Sequence, residues 1–339
     1  MTKPSSPPRV FFFSTMSRPF IAEDERILAR HFTVDRLLSS GIGAVPGIVR
    51  GVWKADVVLV WFGSVYAALI VLLSKLFRCG SIVVVGGVDA SKEPEIGYGI
   101  WLNPLKAPLV GYAFRNAGRV LPVGPALAES VRRLAAYDGA NVRWVPTGYD
   151  GATWHPGPRP TSMVTTVASC WNLSRFKAKG LDRLLDAARA APDVPFRIIG
   201  VTEELMKEIR PGVPGNVEIL PPVPRSEILP YLQQSRVYCQ PSYSEGFPNA
   251  LCEAMLCGCI PVGTDVGGIP TAIGETGFLV PYGDVTALVG AIRKALESTD
   301  EARQRARERV LQEFPVSRRE KELVAAVREL LGAPGGSGS

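Results

Sequence analysis

Two glutamates with seven residues between them mark the stretch of this chain that is richest in chemistry. Glu245 lies in a Ser/Gly/Pro-containing segment, and Glu253 falls in the first turn of a helix that is predicted to begin at Asn249, a good N-cap residue. The N–H groups at a helix start bind anions such as a diphosphate. The donors expected here are the amides of Ala250, Leu251 and Cys252.

The two carboxylates are unsuited to that anion because like charges repel, but they suit hydroxyl groups on either side of it. A sugar nucleotide has this layout, with sugar hydroxyls, a diphosphate and ribose hydroxyls in order. The residue pattern therefore predicts a sugar-nucleotide site around Glu245 and Glu253.

The elements that position this motif alternate between strand and helix. A strand is predicted at 236–240 directly before the motif, and the helix that carries Glu253 spans 249–257. Such alternation predicts a doubly wound parallel sheet, which binds ligands at the carboxyl ends of its strands. Further strands are predicted at 164–168, 196–199, 217–220 and 260–263, and further helices at 180–191, 202–210, 225–234, 285–298 and 316–331.

The N-terminal half repeats the alternation and predicts a second α/β domain. Its strands are predicted at 10–13, 32–36, 56–62, 81–85, 119–123 and 142–145, and its helices at 22–31, 65–77, 104–116 and 125–137. An uncharged run at 57–74 approaches the length of a membrane span. Gly63 and Ser64 divide it, however, and a strand followed by a helix is the favoured interpretation.

The 339 residues suit two domains of ordinary size. The Pro/Gly-rich stretch at 153–162 is the expected linker. The predicted division is an acceptor-binding domain at 1–153, a nucleotide-sugar-binding domain at 162–312, a C-terminal helix at 313–332 that packs back on the first domain, and a linker-like or tag-like tail at 333–339.

Composition and charge restrict the class of protein, its partners and its cellular location. Apolar residues make up 46% and charged residues 21%, which is typical of globular domains. The net charge of +6 arises in residues 1–150. This excess of positive charge either attracts an anionic acceptor or an anionic membrane surface, or it serves only to keep the protein soluble. The sequence contains no basic stripe with interleaved aromatic residues, so a nucleic-acid partner is not expected. Six unpaired cysteines and no signal sequence predict a cytoplasmic protein, with peripheral contact at the inner membrane face as an extension.

The motif resembles the paired-glutamate motif of glycosyltransferase family 4, with Gly246, Phe247 and Pro248 following the first glutamate. Other parts of the chain are similar to further signatures of that family: 145–150 with Trp154 and Pro156, 179–182, 258–262, and 277–280. The resemblance covers about residues 142–298 closely. It implies a GT-B fold, in which two Rossmann-like domains face each other across a cleft, and a retaining transfer reaction.

The resemblance also implies roles for individual residues. Glu245 is expected to bind the donor sugar and Glu253 the ribose, while Lys179 neutralises the diphosphate with Arg175 as its basic neighbour. The base is expected near Val223. The remaining donor-binding residues are Gly246, Phe247, Asn249, Ala250 and Leu251.

The N-terminal half departs from the family pattern. It has no glycine pair after the first strand and no histidine at the expected place, since His31 and His155 both lie elsewhere. Asp89 follows the strand at 81–85 and is expected to replace that histidine as a catalytic residue.

Together these patterns predict a retaining glycosyltransferase that moves a sugar from a nucleoside-diphosphate sugar to a hydroxyl of a glycan or glycolipid. No Asp-x-Asp pair is present, so neither a metal nor a cofactor beyond the donor is expected. Two alternatives stay open. One is a catalytically silent GT-B subunit that binds nucleotide, and the other is a sugar-nucleotide epimerase.

Overall fold

The computed structural model describes residues 7–158 and 160–332, so the predicted tail at 333–339 lies outside the described residues. The described chain divides into two compact units. The first contains residues 7–92, 99–148 and 316–332, and the second contains residues 93–98 and 149–315 apart from residue 159.

The first unit is built on a five-stranded parallel sheet with the order β2-β1-β3-β4-β5. The strands are β1 (Arg9–Ser14), β2 (Thr33–Leu38), β3 (Val57–Trp61), β4 (Gly80–Val85) and β5 (Arg119–Pro122). The helices between them are α1 (Pro19–Ala29), α2 (Ala44–Lys54), α3 (Val65–Phe77) and α4 (Ala107–Asn116), and α5 (Pro125–Ala135) follows β5.

The uncharged run at 57–74 is divided into β3 and α3, as the sequence predicts. Ser64 begins the helix because its Oγ accepts a hydrogen bond from the amide of Ala67 at 3.3 Å. Every residue of β3 is buried, which explains why the strand is continuously apolar. Among residues 7–158 and 160–332, no helix is long and apolar enough to cross a bilayer.

The second unit carries a six-stranded parallel sheet with the order β11-β10-β9-β6-β7-β8. Its strands are β6 (Thr161–Cys170), β7 (Phe196–Val201), β8 (Val217–Leu220), β9 (Ser235–Gln240), β10 (Ile260–Thr264) and β11 (Phe278–Val280). Its helices are α6 (Leu173–Ala178), α7 (Leu181–Ala190), α8 (Glu203–Ile209), α9 (Arg225–Gln234), α10 (Asn249–Leu256), α11 (Ile269–Ile273), α12 (Val285–Glu297) and α13 (Asp300–Glu313).

The last helix, α14 (Val316–Gly332), belongs to the first unit. Its Arg319 is 1% exposed and forms a bidentate ion pair with Asp24 of α1, at 2.8 and 2.5 Å. The same carboxylate accepts a hydrogen bond from Trp61 Nε1 at 3.0 Å. These bonds tie α14 to α1.

Some predicted elements differ from the structure. The segment 142–145 is not a strand, because it makes only a single bridge between Val142 and Val120. Four helices have no counterpart in the sequence prediction, namely α2, α6, α11 and α13. Helix α2 contains Pro46, Gly47 and Gly51, which are poor helix formers, and packing against the sheet overrides their propensity.

Candidate functional site

The glutamate motif lies where the central strand β9 ends and α10 begins, so it stands at the carboxyl edge of the second sheet. Asn249 is the first residue of the helix and not its N-cap as expected, because Pro248 occupies the cap position. The Asn249 side chain instead accepts a hydrogen bond from the hydroxyl of Tyr149 at 2.6 Å. This bond joins the start of α10 to a residue far away in sequence.

The amide of Cys252, expected to bind an anion, is used inside the helix. It donates to the carbonyl of Pro248 at 3.1 Å, which is the first intrahelical bond. The amides of Ala250 and Leu251 precede that bond and stand at the positive end of the helix. They are the N–H groups of the predicted set that remain suited to an anion.

Glu245 is held by three donors that all bond to the same oxygen. Its Oε2 accepts from Lys179 Nζ at 2.7 Å, from Gln240 Nε2 at 3.0 Å and from Ser242 Oγ at 3.3 Å. Burial works to lower the pKa of Lys179, but the adjacent Glu245 carboxylate outweighs it and holds that pKa above its ordinary value. Lys179 is therefore a cation at neutral pH, and its side chain fixes the rotamer of Glu245.

The loop that carries Glu245 is positioned by the end of α6. The carbonyl of Ala178 accepts hydrogen bonds from the amides of Tyr243 and Ser244, at 2.9 and 3.3 Å. Gly180 has φ +64°, and a Cβ there would lie 1.7 Å from the carbonyl oxygen of Pro241. A glycine beside Lys179 is thus what allows the backbone around the lysine to approach the glutamate loop.

Glu253 forms the second carboxylate–cation pair of the site. Its Oε1 accepts from Arg225 Nη2 at 2.6 Å and from Nε at 3.2 Å. Burial raises the pKa of Glu253, and the Arg225 guanidinium opposes that rise. Arg225 also lies over the ring of Trp154, 5.0 Å from its centroid.

Sequence reasoning missed Arg225. The residue begins α9 directly after the loop 221–224, at the carboxyl end of β8. A cation in that place was the available signal, since this sheet edge is where such folds bind ligands. Val223, the residue expected near the base, is half-buried in the same loop.

Arg175, the expected basic neighbour of Lys179, makes its own side-chain contacts with Ser169 and Trp171. Its Nε donates to the carbonyl of Ser169 at 3.0 Å, and its guanidinium lies 4.0 Å from the centroid of the Trp171 ring. Its backbone amide bonds to the capping side chain of Asn172. These contacts hold Arg175 on Trp171 at the end of β6, whereas Lys179 is the residue that contacts Glu245.

Gly246 and Phe247 are buried and support the loop that carries Glu245. A Cβ at Gly268 would lie 2.3 Å from the carbonyl oxygen of Gly246, so the chain after β10 packs closely on the motif. The Phe247 ring stacks on Tyr149 and packs edge-on against Phe314, with centroid distances of 6.5 and 5.1 Å. Both residues thus shape the backbone that presents Glu245.

Asp89 belongs to the first unit, whereas the other predicted site residues belong to the second. Its carboxylate is 1% exposed and accepts hydrogen bonds from the amides of Gly63, Gly87 and Gly86, at 2.9, 2.7 and 3.1 Å. Burial raises the pKa of Asp89 to about 6, although the amide donors favour its charged form. This geometry gives Asp89 a local role in holding the loops after β3 and β4.

Comparison with known proteins shows that the second unit is similar to glycosyltransferases. Residues 166–298 match the family model described as Glycosyl transferases group 1. A D-inositol 3-phosphate glycosyltransferase of Mycobacterium sp. (strain KMS) is 30% identical over 207 residues, which cover 54% of this chain and 45% of the relative. A 2-deoxystreptamine N-acetyl-D-glucosaminyltransferase of Streptomyces fradiae is 28% identical over 311 residues, covering 85% of this chain and 69% of the relative.

Solved structures match most of the described chain. Alr3699/HepE of Anabaena, solved in complex with UDP and with UDP-glucose, aligns with a TM-score of 0.76 at 18% identity, and the match covers 95% of this chain and 100% of that protein. The predicted GT-B fold and the predicted resemblance to glycosyltransferase family 4 are thereby confirmed. The chain spans about half the length of the mycobacterial relative.

Proposed function

We propose that this chain, whose residues 166–298 match the group 1 glycosyltransferase model, transfers a sugar from a nucleoside-diphosphate sugar to a hydroxyl of a glycan or glycolipid, with retention of configuration at the sugar. The observation that carries the proposal is a pair of carboxylates, each bonded to a cation, at either end of one short segment. Lys179 bonds to Glu245 and Arg225 bonds to Glu253, with the start of α10 between the two glutamates.

This arrangement suits the three parts of a sugar nucleotide. Glu245 accepts hydrogen bonds from the donor sugar, and Glu253 accepts them from the ribose. The diphosphate lies against the amides of Ala250 and Leu251, where the helix dipole favours negative charge. The base lies beside Val223.

The same groups favour the transition state of transfer. When the bond between the anomeric carbon of the sugar and the terminal phosphate oxygen breaks, its electron pair stays with the departing nucleoside diphosphate, so negative charge grows on that oxygen. Lys179 carries a charge fixed by the Glu245 pair, so it can take a phosphate oxygen as a second partner without a large rearrangement. Stabilisation that increases as charge develops accelerates the reaction and does not merely tighten binding.

Metal independence is part of the proposal. Lys179 and the α10 amides supply the positive charge that a divalent cation supplies in other phosphate sites, with Arg175 as a more distant cation. A transfer assay with and without EDTA tests this point. Undiminished activity in EDTA is the expected result, and loss of activity that Mg²⁺ restores contradicts it.

The chain's charge supports this proposal for the acceptor and the cellular location. The +6 excess in residues 1–150 favours a phosphorylated or lipid-linked acceptor and a cytoplasmic enzyme in peripheral contact with an anionic membrane. The two α/β units of the chain suit a division in which the first binds the acceptor and the second binds the donor.

UDP and UDP-glucose are the first probes to use, since the Anabaena structure contains them. Binding of a nucleotide sugar should raise the melting temperature, and the rise should grow with the logarithm of the ligand concentration once that concentration exceeds Kd. Slow hydrolysis of the bound donor in the absence of acceptor then separates an enzyme from a silent nucleotide-binding subunit. Glu245→Gln should keep nucleotide binding and lose hydrolysis, whereas the exposed Glu227→Gln should retain both. Equal turnover by Glu245→Gln and the wild type contradicts the proposal.

A further inference from the structure

An exposed apolar surface covers one side of the first unit and takes no part in the proposed donor site. It is formed by α2, α3 and α4 with the residues just before α2 and α4, and we call it the three-helix face. Its most exposed apolar side chains are Ile42 at 90%, Leu105 at 81%, Leu76 at 70% and Trp53 at 66% exposure. Val45, Val49, Leu72 and Leu109 are exposed to a lesser degree.

The helices that form this face are neighbours in the unit. Helix α3 packs against α2 on one side and against α4 on the other. Right-handed crossovers from β2 to β3, from β3 to β4 and from β4 to β5 place all three on the same side of the sheet. Helices α1 and α14 contact each other and pack on the sheet's other side. The apolar side chains therefore belong to one continuous helix layer.

Helix α2 gives the clearest case of apolar residues that the core of the unit does not bury. Ile48 and Val52 are buried against the sheet, and a Cβ at Gly51 would lie 2.2 Å from the ring of Phe11. Val45, Val49 and Trp53 follow one another at four-residue spacing on a different stripe, which is exposed. The helix is thus apolar toward the core and again toward the outside.

The charges on this face have a single sign. Segments 41–54, 63–78 and 102–118 contain no Asp or Glu. They contain six cations, namely Arg50, Lys54, Lys75, Arg78, Lys106 and Arg115. Arg50 and Lys54 are exposed and directly follow Val49 and Trp53 in sequence, so positive charge flanks the apolar stripe of α2.

This combination selects one kind of partner. Apolar side chains mixed with Lys and Arg and without acids are typical of surfaces that bind an anionic bilayer, where the rings and aliphatic chains enter the headgroup region and the cations meet lipid phosphates. A second copy of the chain would bring the same six positive charges against each other, which opposes a symmetric dimer through this face. A nucleic acid would satisfy the charges but leave Ile42, Leu76 and Leu105 without an apolar partner.

We propose that the three-helix face binds the surface of an anionic lipid membrane, with Trp53, Leu76 and Leu105 inserted at the headgroup level. This inference goes beyond the transfer reaction and depends only on the first unit. It names the surface through which peripheral membrane contact, proposed above from net charge alone, takes place.

The test uses the full chain and sedimentation with vesicles. Vesicles of phosphatidylcholine containing 30% phosphatidylglycerol (about one lipid in three) should bind the protein and pure phosphatidylcholine should not, because only the anionic lipid attracts the cations of this face. Each cation that meets the anionic surface should strengthen binding roughly fivefold. Trp53→Ala should weaken binding about tenfold. Arg50→Gln with Lys54→Gln should weaken it about 25-fold.

Matched controls distinguish binding through this face from binding through charged or apolar residues elsewhere on the protein. Lys321→Gln with Arg328→Gln removes two exposed cations from α14 and should leave binding unchanged. Leu279→Ala removes an exposed apolar side chain from the second unit and should also have no effect. Circular dichroism and UDP-glucose binding, which report on the fold and the donor site, should be the same in all variants.

Three results overturn the proposal: equal binding to both vesicle types or to neither, equal loss in the α14 control, or concentration-dependent self-association that Trp53→Ala abolishes. Each is distinguishable from failure of the proposed transfer activity. Vesicle binding is measured without a sugar nucleotide, and the transfer assay with a water-soluble acceptor is run without lipid.

Discussion

Lys179 Nζ donates to Glu245 Oε2 at 2.7 Å, so the cation assigned to the diphosphate is already bonded to the carboxylate assigned to the sugar. The pair is partly buried, with side-chain exposures of 23% and 10%. A preorganised pair of this kind reduces the rearrangement needed when the donor binds.

Replacing Lys179 with Met should lower kcat by about 10²–10³-fold, because it removes a charge that stabilises the leaving diphosphate. The nearby Lys177 is exposed on α6, and Lys177→Met is the matched control that should act like the wild type. Steady-state transfer kinetics measure both. A wild-type kcat for Lys179→Met would remove the lysine from the reaction.

Glu253 should determine selectivity for the ribose hydroxyls. Titration calorimetry with UDP and with its 2′,3′-dideoxy analogue should show that the wild type prefers UDP by about 1–3 kcal/mol, the cost of leaving a buried acceptor unpaired. In Glu253→Ala that preference should disappear while binding of the analogue changes little. If the variant still distinguishes the two ligands, the carboxylate does not contact the ribose.

The buried pair of Asp24 and Arg319 should be a large contributor to the stability of the first unit. Arg319→Met should reduce the free energy of unfolding by about 3–5 kcal/mol, because Asp24 is left as an unpaired buried charge. Asp24→Leu combined with Arg319→Met should cost less than the single change, since no unpaired charge remains. Urea denaturation followed by Trp fluorescence measures both variants. A more stable single than double variant contradicts the buried-charge explanation.

Asp89 should make stability depend on pH in the acidic range. Its pKa of about 6 in the folded chain exceeds the ordinary aspartate value of 3.8, so the folded state holds the proton more tightly than the unfolded state. This contribution is therefore present below about pH 4 and is lost as the pH rises toward 6, by roughly 3 kcal/mol for a shift of about two pKa units. The difference in unfolding free energy between the wild type and Asp89→Asn should vary by that amount between pH 4 and 6.5. A difference that is independent of pH would show that the carboxyl is ionised throughout.

The fold class and the position of the proposed donor site were predictable from local pattern. Apolar runs broken by helical periodicity predict parallel α/β sheets, and a strand predicted at 236–240 followed by a helix at Asn249 places the motif at a sheet edge without any tertiary information. The start of α3 after Ser64 was predictable for the same reason, since a cap and its helix are neighbours in sequence.

What the sequence by itself determined was therefore the order of the elements and the residue types at their ends. The tertiary structure decided the partners. Asn249 joins Tyr149 across 100 residues, Glu253 joins Arg225 across 28, and Asp24 joins Arg319 across 295. A repeat of two or 3.6 residues shows which side of an element is buried, but it contains no information about which distant element covers that side. Those pairings depend on strand order and crossover, and they turn an isolated carboxylate into one half of an ion pair.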